Sequence, residues 1–300
     1  PGKGVWAFGS VFDMVQQAFG CPGAQNGWRR KAGGGLEHKY ETAEYKQAVE
    51  FTARLYAEKL VHPDVIATRG ADEKTLFNGG KIVLYQDGLG AWLGMQGEQA
   101  KVTPGFNMQP VPAFAAEAGG KPVLWGSEKP VFFTFVKKGL GADRTKEILR
   151  VLNWCAAPFG TQEWELRQYG VEGKHFTRGP DGPVPTELGR KEVTEAQFTF
   201  LGGRVPAKWK SSDAPNYVQD YIDYHKASIQ FLEEDLFKGI KLELPANYSK
   251  VLQPSEDKIR DVLVGRRPVS DLDQIVREFR SNGGDEGRAF LEKALTDHGR

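Results

Sequence analysis

The stretch Tyr40–Val65 reads YETAEYKQAVEFTARLYAEKLVHPDV, and Thr75–Trp92 reads TLFNGGKIVLYQDGLGAW. The first segment carries apolar side chains at helical spacing, with Thr42 as a suitable N-cap and Pro63 preventing continuation. The second contains Lys81–Gln86, a short apolar run that is typical of a strand buried on both faces. Few strands and many helices in alternating order predict an α/β protein with helices packed on mostly parallel sheets.

Length, composition and charge limit the classes of function. The 300 residues exceed the usual size of a single domain, so we expect two lobes. Hydrophobic residues make up 40% and charged residues 26%, as in an ordinary globular protein. The net charge of +1 gives no indication of the concentrated basic face that a nucleic-acid partner requires. The longest apolar runs, such as Val131–Val136, are too short to span a bilayer.

The sequence contains neither a metal-ligand spacing nor a catalytic motif. Cys21 and Cys155 are interpreted as two buried or free thiols in preference to a disulfide, whose geometry sequence alone cannot fix. The five histidines include no i, i+4 pair, and no G-x-S-x-G or phosphate-binding loop occurs. We therefore expect neither a metal nor a cofactor.

Periodicity and breaker residues predict the remaining elements. Residues 21–35 and 94–121 are expected to form loops, and Tyr169–Arg190 an irregular segment. Ser255 and Ser270 are expected to cap two helices near the C-terminus. The other predicted elements are helices over Phe12–Phe19, Asp143–Ala156, Thr161–Gln168 and Asn216–Phe237, and a strand over Val131–Val136.

The order of these segments resembles the extracellular solute-binding proteins of ABC importers, in particular their carbohydrate-binding branch. The family pattern F..GK…G.W is matched, with one extra residue, by Phe77, Gly80, Lys81, Gly88 and Trp92. The likeness covers most of the chain in the family's order. Its other parts are the crossing strand at Lys129–Lys138, the YG.EG..y segment at Tyr169–Phe176 and the C-terminal helices at Gly265–Asp285.

The resemblance implies a periplasmic-binding-protein-like fold of type II, in which two α/β lobes hold the ligand between them. By analogy, residues 1–127 and 246–300 form one lobe and residues 128–245 form the other. The chain starts at Pro1 with no initiator Met and no signal peptide. We therefore expect a chain that begins in mid-fold, with part of the first lobe and the upstream part of the other lobe missing.

The resemblance also implies a function. It is that of an extracellular or periplasmic receptor that captures a carbohydrate, in particular an oligosaccharide, and delivers it to the subunits of an ABC permease. Such a protein is a monomer and not an enzyme, and it meets the membrane only through a lipoprotein anchor outside this chain. The alternatives are a carbohydrate-active hydrolase with a carboxylate pair, and a sensor-linked receptor without a transport role.

A sugar site combines aromatic faces with planar polar side chains, and four residues near the expected cleft offer them. Asp87 is either a polar ligand at a strand end or part of a plain Asp-Gly turn. Trp92 either faces the ligand or packs in the core. Trp125 and Glu128, next to the expected crossing, are the best pair for the cleft, with packing at the hinge as the other interpretation.

Two further tryptophans are candidates because of their surroundings. Trp6 and Trp28 lie in Gly-rich segments, where we expect aromatic side chains to stay outside the core. The sequence does not place either residue relative to the other four candidates. It also holds Glu172 and His175 in the loop Tyr169–Phe176, which we interpret as structural.

Overall fold

The structure, a computed structural model, describes residues 4–23, 27–66, 71–100, 102–126, 134–193, 201, 216–233 and 235–300. The chain forms two compact units. Unit 1 consists of Pro1–Met95, Met108–Glu128 and His225–Arg300, and unit 2 of Gln96–Asn107 and Lys129–Tyr224. The lobe boundaries that the resemblance implies stay a prediction.

Helices and short strands are mixed along the described residues. The strands are β1 Trp6–Phe8, β2 Trp28–Arg30, β3 Leu36–His38, β4 Ile82–Leu84, β5 Phe176–Gly179 and β6 Gly182–Pro185. The α-helices are α1 Phe12–Ala18, α2 Ala43–Ala57, α3 Ala71–Asn78, α4 Gly90–Ala100, α5 Ala142–Cys155, α6 Gln162–Tyr169, α7 Glu187–Glu192, α8 Tyr217–Ser228, α9 Ala246–Leu263, α10 Leu272–Phe279 and α11 Asp285–Asp297. This mixture of helices and strands agrees with the expectation from the sequence, but the expected predominance of parallel sheets is not found among the described strands, where β2–β3 and β5–β6 pair antiparallel.

The strand β1 lies between two parallel neighbours in unit 1. Phe8 pairs with Leu84 of β4 on one side and with Val61 on the other. The Phe8 amide donates to the Leu60 carbonyl at 3.1 Å, and the His62 amide donates to the Phe8 carbonyl at 2.9 Å. The carboxyl ends of β1 and β4 therefore meet at one edge. The other two pairings, β2 with β3 and β5 with β6, are antiparallel.

The helix α2 confirms the prediction from the opening stretch. The Thr42 Oγ1 accepts from the Tyr45 amide at 3.2 Å, which caps the helix as expected. The buried face of α2 consists of Tyr45, Ala48, Val49, Thr52 and Leu55. All of them except Thr52 belong to a hydrophobic core that α2 shares with α1, α9, α10 and α11.

The glycine-rich segment after β4 is helical, so the loop predicted from residue 94 onwards is wrong in its first part. Its glycines, including Gly94, lower helix propensity and conceal the helix in the sequence. Trp92 and Met95 are buried along one side of α4. Burial of these two large side chains outweighs the weak local preference.

The two predicted serine caps near the C-terminus are also wrong. Ser255 lies inside α9, where its hydroxyl donates to the Val251 carbonyl at 2.8 Å. The helix extends further towards the N-terminus because it buries Tyr248 and Val251. A 3₁₀ turn at Val269–Asp271 precedes α10, and the residue at its N-cap makes no side-chain cap.

In unit 2 the two predicted helices are confirmed as α5 and α6. The Thr161 Oγ1 caps α6 by accepting from the Trp164 amide at 3.2 Å. The segment predicted to be irregular instead contains the β5–β6 hairpin and α7. The helix predicted over Asn216–Phe237 ends earlier, at Ser228. Of the strand predicted over Val131–Val136, the first three residues lie outside the described residues, and the rest has no regular structure.

Candidate functional site

A cavity of about 490 Å³ lies in unit 1 at the carboxyl ends of β1 and β4. Open α/β sheets place their ligands at this end of parallel strands. The cavity combines one indole with carboxylates, carboxamides and a hydroxyl. Its lining residues are Ser10, Asp13, Gln17, Glu73, Gln86, Asp87, Gly88 and Trp125.

Glu73 of α3 is fixed to the residues that follow β1. Its side chain is largely buried, with a residue exposure of 5%. The Ser10 hydroxyl donates to Glu73 Oε1 at 2.5 Å, and the Ser10 amide donates to Oε2 at 2.7 Å. A Cβ on Gly9 would lie 2.7 Å from Glu73 Oε2, so glycine leaves the room that this carboxylate occupies. The carboxylate is therefore held in one orientation.

Asp87 is fixed in a similar way beyond the end of β4. The Gly88 amide donates to Asp87 Oδ1 at 2.6 Å, and the Tyr85 hydroxyl donates to Oδ2 at 2.9 Å. Burial, followed by the hydrogen bond to Asp87, raises the pKa of the Tyr85 hydroxyl. The phenol therefore stays protonated and keeps donating to the carboxylate, which retains free lone pairs for further donors.

The Trp125 indole is anchored from its edge and from one face. Its Nε1 donates to the Cys21 carbonyl at 3.0 Å. A Cβ built on Gly23 would lie 1.9 Å from Trp125 Cε2, so the ring occupies the space above that glycine. Trp125 is half-buried and lines the cavity, which leaves apolar surface of the ring available to a ligand.

The cavity has an acidic lining. It includes Asp13, Glu73 and Asp87, and among the lining residues that the structure describes there is no lysine or arginine. A neighbouring cation is Lys39, whose Nζ lies 5.8 Å from the Trp125 ring centroid. Burial lowers the pKa of Lys39, while the charge of Asp13 opposes that shift.

Of the six residues predicted from the sequence, the structure brings Asp87 and Trp125 together in this cavity. Trp92 is 5% exposed, and its Nε1 donates to the Met108 carbonyl at 2.8 Å, as the core interpretation requires. Trp6 is half-buried in β1, with its ring centroid 4.3 Å from that of His62. It lines a different, largely apolar cavity of about 390 Å³. Glu128 lies outside the described residues.

The expectation that Trp28 lies outside the core is wrong. Trp28 belongs to β2, pairs with His38 and is 1% exposed. Its Nε1 donates to the Tyr248 hydroxyl at 2.6 Å. The polar edge of the indole is thus satisfied inside the core, where the many glycines nearby gave no hint of burial.

Sequence reasoning missed Ser10, Asp13, Gln17, Glu73 and Gln86. The reason is that β1 is only three residues long and was not predicted. If this strand had been recognised, the rule that ligands meet the carboxyl ends of parallel strands would have indicated Ser10 and Asp13. No comparable signal marks Glu73, which reaches the cavity from a helix.

Three further features of the described residues concern metal sites, membrane spans and disulfides. Within the described residues, no group of three or more His, Cys, Asp or Glu side chains could hold a metal ion. Among the helices of the described part of the chain, none has the length and apolar character needed to cross a membrane. Cys21 and Cys155 are both buried free thiols, as interpreted from the sequence.

Comparison with known proteins supplies an independent line of evidence. No family model matches the chain. The polygalacturonan/rhamnogalacturonan-binding protein YtcQ of Bacillus subtilis (strain 168) is 19% identical over an alignment of 293 residues that covers 94% of this chain and 57% of YtcQ. The alginate-binding protein AlgQ2, solved without calcium ion, matches with a TM-score of 0.63 and 14% identity, covering 98% of this chain and 64% of AlgQ2.

The resemblance to sugar-binding solute-binding proteins is confirmed. The structural match fits a periplasmic-binding-protein-like fold. Both comparison proteins are named for binding a sugar polymer. This chain spans less than two thirds of the length of either protein.

Proposed function

We propose that this chain belongs to a receptor that captures a carbohydrate at the cavity of unit 1. The observation that carries the proposal is the meeting of Trp125 and Asp87 with Glu73 at the carboxyl ends of two parallel strands. The site is concave and provides several convergent polar groups, as small-molecule sites do. The sugar-polymer ligands in the names of the two comparison proteins support the same class of ligand.

The chemistry of the lining suits a sugar ring. One face of a pyranose presents C–H groups, which pack against an aromatic face such as that of Trp125. Its hydroxyl groups lie at the rim and donate to carboxylates, which accept at two oxygens. Glu73 and Asp87 are already held by backbone and side-chain donors, so little ordering is required when the ligand binds.

The finer steps of the proposal are supported by the resemblance alone. They are capture between two lobes that close by a hinge motion, and delivery of the ligand to an ABC permease. They also include an extracellular or periplasmic location, a lipoprotein anchor and a monomeric state. The hydrolase alternative has no support from either comparison protein.

A titration with oligosaccharides tests the binding proposal. Tryptophan fluorescence and calorimetry should show saturable binding, and the same sugars should not be hydrolysed. Trp125→Ala should weaken binding about tenfold or more, because stacking on an aromatic ring contributes about 1–3 kcal/mol in comparable ring-on-ring contacts. Phe114→Ala is the matched control, since Phe114 is 46% exposed and does not line the cavity.

The control variant should bind as the unchanged protein does. Equal affinity of the Trp125→Ala variant would show that the sugar binds elsewhere. Hydrolysis that disappears when one of the cavity carboxylates is replaced would contradict the receptor and support the hydrolase.

A further inference from the structure

We infer that the cavity of unit 1 selects saccharides without carboxylate groups and disfavours uronates. The inference rests on the proposed function and concerns the ligand class of the same site. It separates this chain from the two comparison proteins, whose names state binding to alginate and to polygalacturonan or rhamnogalacturonan.

The three cavity carboxylates are hydrogen bonded to uncharged donors. The Gln16 Nε2 donates to Asp13 Oδ1 at 3.1 Å. Glu73 accepts from the amide and hydroxyl of Ser10, and Asp87 accepts from the Tyr85 hydroxyl and the Gly88 amide. In the described residues, none of these three carboxylates forms an ion pair within 4.0 Å. Their negative charges are thus oriented by the protein without a direct ion pair, and Lys39 compensates Asp13 only at longer range.

The other charged side chains described near the cavity do not cancel the negative charge of its three carboxylates. Lys39 is a cation beside the Trp125 ring, and it interacts electrostatically with Asp13. Arg29 is paired with Glu37 and Glu44. With three lining carboxylates and one neighbouring lysine, the described residues give the cavity a net negative charge.

A ligand carboxylate in this cavity is repelled. A cavity of about 490 Å³ is so small that any bound group lies within a Debye length, about 8 Å at physiological ionic strength, of a cavity carboxylate. At such distances the repulsion between like charges corresponds to about tenfold or more in affinity. A neutral ring does not meet this penalty, and its hydroxyls supply the donors that the carboxylates accept.

The decisive experiment compares ligands that differ only in charge. Oligogalacturonates and oligomannuronates of equal length are prepared as free acids and as methyl esters, and neutral oligogalactans and oligomannans are added. Calorimetry is performed in EDTA, so that no divalent cation bridges two carboxylates. We expect the neutral ligand or ester of the recognised ring to bind about tenfold more tightly than the free acid.

Tighter binding of the free acid would overturn this inference and leave the proposed function intact. Absence of binding to every saccharide tested, neutral or acidic, would overturn both. A measurement on the unchanged protein provides a second criterion. The difference between ester and acid should shrink as ionic strength rises from 0.01 M to 0.15 M, because the Debye length falls from about 30 Å to about 8 Å.

Variants that lack cavity charges show whether the cavity carboxylates cause the preference for uncharged ligands. In the Asp13→Asn/Asp87→Asn variant, the affinity ratio of ester to free acid should fall several-fold, because two of the repelling charges are absent. Glu243→Gln is the matched control, since Glu243 pairs with Lys241 at the surface and does not line the cavity. An unchanged ratio in the folded double variant would overturn the inference. If the double variant does not fold, the same affinity ratio is measured for Asp13→Asn and Asp87→Asn separately. An unchanged ratio in both single variants, together with no dependence on ionic strength, would then overturn the inference.

Discussion

At the scale of the residue, Gly23 determines whether Trp125 can take its position. The ring occupies the space where a Cβ would stand, and the Gly23 amide donates to Glu233 Oε2 at 3.0 Å. Contacts this close do not occur between real side chains, so an added methyl group must displace the indole. The glycine is thus part of the site although it contributes no side chain.

We expect Gly23→Ala to weaken saccharide binding about tenfold while the protein stays folded, because the Trp125 face leaves its position. Calorimetry gives the affinity, and the fluorescence spectrum reports the changed surroundings of the indole. Gly33→Ala is the matched control, since a Cβ at Gly33 meets nothing within 4 Å. Equal affinities of the Gly23→Ala variant and the unchanged protein would show that the ring position is unimportant.

Buried hydrogen bonds explain how two of the candidate tryptophans can belong to the core. The Trp28 indole and the Tyr248 hydroxyl satisfy each other, and Trp92 donates to a backbone carbonyl. A tryptophan in a sequence carries the same apolar area and the same N–H group in either setting. Trp125 also donates to a backbone carbonyl, so the difference lies in how much of each ring the surrounding chain covers: Trp28 and Trp92 are buried, whereas Trp125 lines the cavity.

At the scale of the element, α11 packs against α9 through glycine. A Cβ on Gly287 would lie 2.5 Å from the Tyr248 ring, and one on Gly283 would lie 2.6 Å from the backbone of Asn247. Gly283 also has a φ of 148°, which L-residues rarely adopt. The close approach of these helices therefore depends on the absence of side chains.

Gly287→Ala should lower the free energy of unfolding by about 1–3 kcal/mol, since overpacking outweighs the better helix propensity of alanine. Gly94→Ala in α4 is the matched control, because a Cβ there meets nothing within 4 Å. That control should instead stabilise the protein by up to about 1 kcal/mol. Urea unfolding measures both, and destabilisation of equal size in the two variants would contradict the packing argument.

The helices and strands also show which elements can be predicted from local sequence patterns. The helices α2, α5 and α6 were predicted close to their observed bounds, because their apolar spacing and their caps Thr42 and Thr161 are local features. The helix α4 was missed since its glycines hide it, and β1 was missed since three residues are too few to show a period. Both elements form because of what they bury or pair with.

At the scale of the whole molecule, buried phenols and a buried thiol predict loss of stability at alkaline pH. Burial raises the pKa of Cys21 from 9.0 to about 12 and that of Tyr248 from 10.0 to about 12. It also raises the pKa of Tyr40 and of Tyr45. In the unfolded chain these groups release their protons at lower pH than in the folded protein. Above about pH 9 the unfolded state therefore binds fewer protons.

The contribution of these groups to the free energy of unfolding should accordingly be constant below about pH 8. It should fall between about pH 9 and pH 12. Each group contributes a slope of up to about 1.4 kcal/mol per pH unit within its window. Urea unfolding at pH 8.0, 9.5 and 10.5 measures the slope. An equal free energy of unfolding at pH 8.0 and 10.5 would contradict this prediction. Cys21→Ala should reduce the slope, because it removes one of the groups.

The candidate site was predicted only in part, for a physical reason. Asp87 follows a strand whose apolar run is visible in the sequence, and Trp125 precedes a segment that resembles the family's crossing strand. Glu73 and Ser10 are bonded across 63 positions of the chain, and no local pattern records that contact. The acidic lining of the cavity is therefore a property of the fold and not of any motif.

The sequence by itself determined the α/β class, the main helices and the resemblance to carbohydrate-binding solute-binding proteins. These depend on periodicity, caps and the order of segments, all of which are encoded locally. The tertiary structure alone decided which tryptophan is core and which carboxylates share a cavity. Those outcomes depend on the pairing of β1 with β4 and on the space that Gly23 leaves for Trp125, and such contacts join residues far apart in the chain.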